Sequence, residues 1–143
     1  VAHNACPATE LSETKIDQAF IGSCANGRIE DFAIAAEIMA GRQVAPGVRM
    51  IVTPGSQSVL KEAMAKGYVA TLMDAGAVVT NSTCGACYGG HMGVLGDGEV
   101  CITASTRNFQ GRMGSAEADI YLGSPATVAA SAVRGVITDP REI

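Results

Sequence analysis

The stretch IDQAFIGSCANGRIEDFAIAAEIMAGRQVAPGVRMIVTP, residues 16–54, decides the fold of this chain. Its first part, residues 16–22, is a short apolar run of β type that ends in glycine. Residues 28–40 then place apolar side chains at helical spacing, with two acidic residues in the first turn, where negative charge is favourable. A second apolar run follows at residues 48–54. The order strand, helix, strand predicts a βαβ unit and therefore a parallel sheet.

The rest of the chain continues this alternation. Ser56 and Ser124 stand where helix N-caps are needed, and Pro125 suits a first helical position. Further helical segments are predicted at residues 57–66, 69–75 and 125–134, and further strands at residues 75–81, 99–105 and 120–124. The pattern predicts an α/β fold, namely a three-layer domain with a mostly parallel sheet, helices on both faces, and a site at the carboxyl ends of the strands.

Two parts of the chain differ in character. Residues 1–15 are polar and without periodicity, and they are interpreted as a leader or linker, whereas residues 16–143 form the predicted domain. The chain begins with valine rather than methionine, so we expect residues before it to have been removed.

Composition excludes several functional classes. A chain of 143 residues with 48% hydrophobic and 17% charged residues is not intrinsically disordered. Its net charge of −4 provides no basic surface for nucleic acid, and no apolar run approaches the roughly 18 residues that would span a bilayer. Because the first residues lack the pattern of an export signal, we expect a cytoplasmic protein without a membrane or nucleic-acid partner.

The chain has five cysteines, and their odd number argues against a closed set of disulfides. Cys24 follows the first strand, and Cys84 and Cys87 form a C-x-x-C pair after the third. Spacing alone leaves four interpretations open: a redox dithiol, a zinc site completed by His91, inert thiols in glycine-rich turns, or an iron–sulfur cluster. Three thiolates on a cubane cluster would leave one iron free to act as a Lewis acid.

The remaining cysteines are assigned no role. Cys101 is interpreted as a small core residue of a strand, and Cys6 as a thiol of the leader.

A pair of arginines follows the fourth strand: Arg107 and Arg112 stand five residues apart in a loop that contains a glycine. Such a pair can bind carboxylates bidentately, and its loop follows the fourth strand, at the sheet edge that also carries the cysteines.

Four motifs in this order resemble the iron–sulfur domain of the aconitase family, nearest to its isopropylmalate dehydratase and homoaconitase branches. They are IGSCANGRIED, TPGS, NSTCGACYGGHMG and STRNFQGRMGS, and the resemblance covers about residues 16–143. It implies that Cys24, Cys84 and Cys87 bind a [4Fe–4S] cluster with one uncoordinated iron. It also implies that Arg107 and Arg112, with a smaller contribution from Thr106, bind the carboxylates of the substrate.

The family's reaction removes water from a 2-hydroxy acid and adds it back with altered regiochemistry. The resemblance therefore implies a hydro-lyase that isomerises 2-isopropylmalate and 3-isopropylmalate in leucine biosynthesis. Alternatives are a homoaconitase, a 2,3-dimethylmalate dehydratase, another aconitase-type hydro-lyase, or a structural metal-binding domain without activity. The base and other active-site groups are expected in the remaining domains of a large subunit and in a partner small subunit, so this chain alone should be inactive.

Two positions depart from the family's usual residues. Thr106 stands where the family has asparagine, and Ala25 stands where it has threonine after the first cysteine. Since asparagine reaches further and both donates and accepts hydrogen bonds, these changes concern the choice of hydroxy acid rather than the cluster.

Overall fold

The computed structural model describes residues 7–143, apart from the side chain of Ala25; His3 and Cys6 lie outside the described residues. Short 3-10 helices occur at Ala8–Leu11 and Pro140–Glu142. The strands are β1 (Gln18–Gly22), β2 (Arg49–Thr53), β3 (Val78–Val79), β4 (Val100–Thr103) and β5 (Asp119–Leu122). The helices are α1 (Ser23–Asn26), α2 (Ile29–Met39), α3 (Gln57–Ala65), α4 (Tyr68–Asp74) and α5 (Pro125–Arg134).

The five strands form one parallel sheet in the order β3-β2-β1-β4-β5. In the register of its centre, Phe20 of β1 lies opposite Ile51 of β2 and Thr103 of β4. The chain moves outward in one direction from β1 to β3 and then crosses back to build β4 and β5. The carboxyl ends of β1 and β4 therefore flank the topological switch point, where ligands bind in sheets of this kind. The predicted α/β fold with its parallel sheet is confirmed.

The helix boundaries follow from capping groups that the sequence supplies. The Ser56 and Ser124 hydroxyls accept the backbone N–H groups three residues on, both at 3.2 Å, as N-caps do. Helix α5 ends at Gly135 in the left-handed conformation, with φ of 76°. Across residues 7–143, no helix has the length and apolar character that crossing a membrane requires.

Helices α2 to α5 all pack on one face of the sheet. Their buried side chains form one cluster with Ala19, Ile21, Met50, Val52 and Ile102 of the strands. Phe32 and Met39 of α2 are fully buried at the centre of this cluster.

The opposite face is covered by turns rather than helices. The prediction of helices on both faces is therefore wrong for this face. Phe20, Ile51 and Cys101 pack there against Ala86, Cys87, Leu95 and Met113, which belong to the segments after β3 and β4. Those segments cross the sheet in the direction opposite to α2 and α3, so right-handed crossovers place them on this second face. Residues 81–98 contain six glycines, at 85, 89, 90, 93, 96 and 98, and this density disfavours a helix.

The structure also differs from the prediction in the length of the third strand and in the packing of the predicted leader. The third strand forms only at Val78–Val79, because it is a sheet edge paired with β2 alone. Within the predicted leader, Ala8 and Leu11 pack against the helix-side core, and Lys15 pairs antiparallel with Val136. The boundary between leader and domain at residue 15 stays a prediction.

Candidate functional site

Cys24 lies in a tight loop at the switch point of the sheet. The loop leaves β1 through α1 and is held on both sides: Gly55 N donates to Gly27 O at 2.7 Å, and Asn26 Nδ2 donates to Ala104 O just beyond β4. The Cys24 side chain is exposed. The loop therefore presents a thiol between the segments that follow β2 and β4.

Cys84 and Cys87 lie in the turn that follows β3. Cys87 N donates to Cys84 O at 3.1 Å, which closes the turn, and Cys84 is exposed while Cys87 is buried. Gly85 has φ of 54°, and a Cβ there would lie 2.9 Å from the Phe20 ring and 3.0 Å from Thr53 Oγ1. Glycine is required because any side chain would push the cysteine turn off the sheet.

Both cysteine loops pack against Thr53, the last residue of β2. A Cβ on Gly22, two residues before Cys24, would overlap Thr53 O, and a Cβ on Gly85 would crowd the Thr53 hydroxyl. Thr53 is fully buried, and its Oγ1 lies 2.8 Å from that of Thr80. Thr53 opens the TPGS motif at the end of a predicted strand, but the sequence alone assigned it no role.

The arginine loop follows β4 at the same edge. Asn108 is buried and donates to Ile120 O at 3.0 Å, which ties the loop to β5. The Ser105 hydroxyl donates to Arg107 O at 3.3 Å, while the side chains of Thr106 and Arg107 are exposed. Asn108 is therefore a structural anchor, and Arg107 extends toward solvent.

Arg112 joins this loop to the cysteine turn. Its Nη2 donates to Cys87 Sγ at 3.4 Å, and its guanidinium carbon lies 5.3 Å from the centroid of the Phe109 ring. The structure thus brings one predicted arginine into direct contact with one predicted cysteine. Because Arg107 and Arg112 differ in exposure, they do not form a symmetrical clamp, and their binding of substrate stays a prediction.

The three cysteines share one edge of the sheet without forming a mononuclear metal site. Within the described part of the chain, no three His, Cys, Asp or Glu side chains are grouped so that they could hold a metal ion. In particular, His91 is exposed and does not complete a zinc site with the cysteines. The cysteines of a cubane cluster each bind a different iron, so they need not converge on one point.

The donor set fits a [4Fe–4S] cluster. It provides three thiols on loops that meet at Thr53, with glycines at the closest approaches and an arginine N–H on one of the sulfurs. The role of Cys24, Cys84 and Cys87 as ligands stays a prediction.

Cys101 lies apart from this edge, within β4. It is fully buried in the core on the turn-covered face, and burial raises the pKa of its thiol to about 12. The thiol is therefore neutral and inaccessible, and its interpretation as a small core residue is confirmed.

Comparison with known proteins gives consistent results. A family model described as "Aconitase family (aconitate hydratase)" matches residues 1–135. The chain is 66% identical over 143 residues to the 3-isopropylmalate dehydratase large subunit of Mycolicibacterium smegmatis. That match covers all of this chain and 34% of the relative. It is 63% identical over 129 residues to the protein of that name from Aliarcobacter butzleri, covering 90% of this chain and 30% of the relative.

A more distant relative matches over nearly the same extent. The 3-isopropylmalate dehydratase large subunit 2 of Archaeoglobus fulgidus is 51% identical over 143 residues, covering 98% of this chain and 34% of the relative. The chain therefore spans about a third of the length of the curated relatives it matches.

Proposed function

Because the chain belongs to the aconitase family, we propose that it forms the [4Fe–4S] cluster-binding domain of a hydro-lyase that acts on 2-hydroxy di- or tricarboxylic acids. The names of its relatives favour the isomerisation of 2-isopropylmalate and 3-isopropylmalate in leucine biosynthesis. The observation that carries this proposal is the contact of 3.4 Å between Arg112 Nη2 and Cys87 Sγ. It places an arginine, a residue type that binds carboxylates, against a cysteine, a residue type that binds iron–sulfur clusters.

Cys24, Cys84 and Cys87 would hold the cluster, which supplies a Lewis acid at the iron that no cysteine binds. The domain's own contribution is to position these thiols. Gly85 lets the cysteine turn rest on Phe20 and Thr53, and the hydrogen bonds of the Cys24 loop fix it between β2 and β4. Rigid support of this kind limits the reorganisation needed when the site is filled.

The arginine loop would bind the carboxylates. Arg107 is exposed at the edge that carries the cysteines, so its guanidinium is free of the core and open to a substrate. Arg112 uses Nη2 on Cys87 and keeps further N–H groups for a second carboxylate. Thr106 stands beside Arg107 and would contribute a shorter polar contact than the family's asparagine.

The complete enzyme would need parts that this domain does not supply. Since the relatives are about three times longer, we assign the proton-abstracting base to the other domains of a large subunit and to a small subunit. The assembled enzyme would act in the cytoplasm on a small-molecule hydroxy acid.

Anaerobic reconstitution with iron and sulfide tests the cluster. We expect the intact large subunit that contains this chain to gain visible absorbance together with acid-labile sulfide. Serine substitutions at Cys24, Cys84 and Cys87 should each abolish it, whereas C101A should retain it because that thiol lies inside the core. A C24S variant with undiminished iron and sulfide, or a chain that holds zinc without sulfide, would contradict the proposal.

Substrate choice is tested in the full-length large subunit combined with its small subunit. Formation of the unsaturated acid should be fastest with isopropylmalate and much slower with homocitrate, 2,3-dimethylmalate or citrate. Replacing Arg107 by lysine should lower kcat/KM by about tenfold or more, because a charged hydrogen bond contributes about 1.5–3 kcal/mol. A preference for homocitrate would move the enzyme to the homoaconitase branch.

A further inference from the structure

Two buried side-chain atoms in the described part of the chain, Ser23 Oγ and Arg112 Nε, have no hydrogen-bond partner. Both lie beside predicted cluster ligands: Ser23 directly precedes Cys24, and Arg112 contacts Cys87. An unsatisfied buried polar group costs about 1–3 kcal/mol, so each one calls for an explanation. One atom lies in the Cys24 loop and the other in the arginine loop, on the side chain that contacts Cys87.

Ser23 carries a second cost. Its φ of 74° makes it the one non-glycine residue with positive φ within residues 7–143, and only 2% of its surface is exposed. Such a backbone conformation costs about 1–3 kcal/mol and would be relieved by glycine. A serine that is both strained and unsatisfied does not stabilise the fold, so its hydroxyl has another purpose.

Arg112 is held in a defined orientation. Its guanidinium lies over the Phe109 ring and its Nη2 donates to Cys87 Sγ. In a planar guanidinium, Nε–H and one Nη2–H point along the same edge, which is the edge used for bidentate binding. The unsatisfied Nε–H therefore shares a guanidinium edge with one of the two N–H groups of Nη2, the nitrogen that contacts Cys87.

We propose that Ser23 and Arg112 are positioning residues that donate hydrogen bonds, through Oγ–H and Nε–H, to sulfur atoms of the bound cluster and of its cysteine ligands. This inference rests on the proposed function. Donors to cluster sulfurs stabilise the negative charge of the cluster and hold it in place. Arg112 thereby serves the cluster along one edge of its guanidinium and a substrate carboxylate with its remaining N–H groups.

The experiment uses the intact large subunit that contains this chain, and it compares cluster retention with the stability of the cluster-free protein. S23G relieves the backbone strain and removes the hydroxyl, so its cluster-free form should melt about as high as the unaltered chain or a few degrees higher. Its reconstituted cluster should nevertheless be lost about fivefold faster under a chelator, as expected for one missing hydrogen bond. S23A should show the same loss, whereas the exposed S58A on α3 should not.

R112K tests the second donor, because lysine keeps the charge without the planar edge. Its cluster should also be lost about fivefold faster, and the reduction potential followed by absorbance should shift to a more negative value. R134K, at the exposed end of α5, is the matched control.

The outcomes separate the two levels of the proposal. If S23G and R112K retain the cluster as long as the unaltered chain does, this inference is overturned while the proposed function stands. If the intact large subunit takes up no cluster under anaerobic conditions, the proposed function fails and this inference fails with it. A cluster-free S23G that melts well below the unaltered chain would overturn the assignment of Ser23, since it would show a structural role.

Discussion

Replacing Gly85 by alanine tests whether the cysteine turn depends on its close packing against the sheet. Gly85 has φ of 54°, and a Cβ would lie 2.9 Å from Phe20 Cζ and 3.0 Å from Thr53 Oγ1. The Phe20 ring and the Thr53 side chain are fully buried, so neither neighbour can move aside freely. The substitution therefore adds a steric conflict to an unfavourable backbone conformation.

The expected magnitude follows from these two contributions. A non-glycine residue in the left-handed region costs about 1–2 kcal/mol, and an extra carbon in a packed interior costs about 1–3 kcal/mol. G85A should therefore lower the free energy of unfolding by about 2–5 kcal/mol. Gly98 provides the matched control, because its φ of 76° is similar and a Cβ there would meet no atom within 4 Å. G98A should cost only the backbone contribution of about 1–2 kcal/mol.

Urea denaturation of both variants and of the unaltered chain, followed by circular dichroism, measures this difference. G85A should show the larger fall in stability and, after reconstitution, a smaller amount of bound iron and sulfide than G98A. If G85A is no less stable than G98A and binds as much cluster, the cysteine turn does not depend on its contact with Phe20 and Thr53, and the reasoning is refuted.

Cys101, Glu99 and Asn108 are buried or paired side chains whose roles can be measured. In the folded cluster-free chain, a maleimide should modify the exposed Cys84 quickly and the fully buried Cys101 only on unfolding. Peptide mass spectrometry measures the two rates, and equal rates would contradict the burial of Cys101. The hydrogen bond from Arg49 lowers the pKa of Glu99 below 4.5, so the pair stabilises the fold above that pH and the contribution is lost as the pH falls through the lowered value. Urea titrations should therefore show E99Q less stable at neutral pH by up to about 1 kcal/mol, since both side chains are partly exposed, with the difference vanishing in acid. N108A removes the hydrogen bond that anchors the arginine loop, so it should lower the free energy of unfolding by about 1–3 kcal/mol. An unchanged urea midpoint would show that the loop does not depend on this hydrogen bond.

Local order was largely predictable from the sequence. Helix α5 begins at Pro125 after its Ser124 cap and ends at Gly135, because these residue types satisfy or terminate helical hydrogen bonds through their own chemistry. The strands at the sheet centre were also predictable, since a parallel sheet covered on both faces requires short continuous apolar runs. The edge strand β3 was overestimated, because its length depends on a single neighbour that no local pattern encodes.

Which segments cover the sheet face opposite the helices was not predictable from local sequence. Strand order decides the face to which each crossover belongs, and the connection after β3 reverses direction across the sheet. The glycine-rich sequence of that connection then determines that turns rather than helices cover the face. Cys87 lies on this face for that reason, in the core built around Phe20.

The sequence by itself determined the residue types of the candidate site and the edge of the sheet at which they gather, because the carboxyl ends of parallel strands must coincide. Only the tertiary structure decided which of them touch. Arg112 reaches Cys87 across 25 positions of the chain, and Ser23 is buried with a positive φ, and neither fact has a local signature. Contacts of this kind depend on how two loops pack against a third element, here Thr53 at the end of β2, and such packing is a property of the folded molecule as a whole.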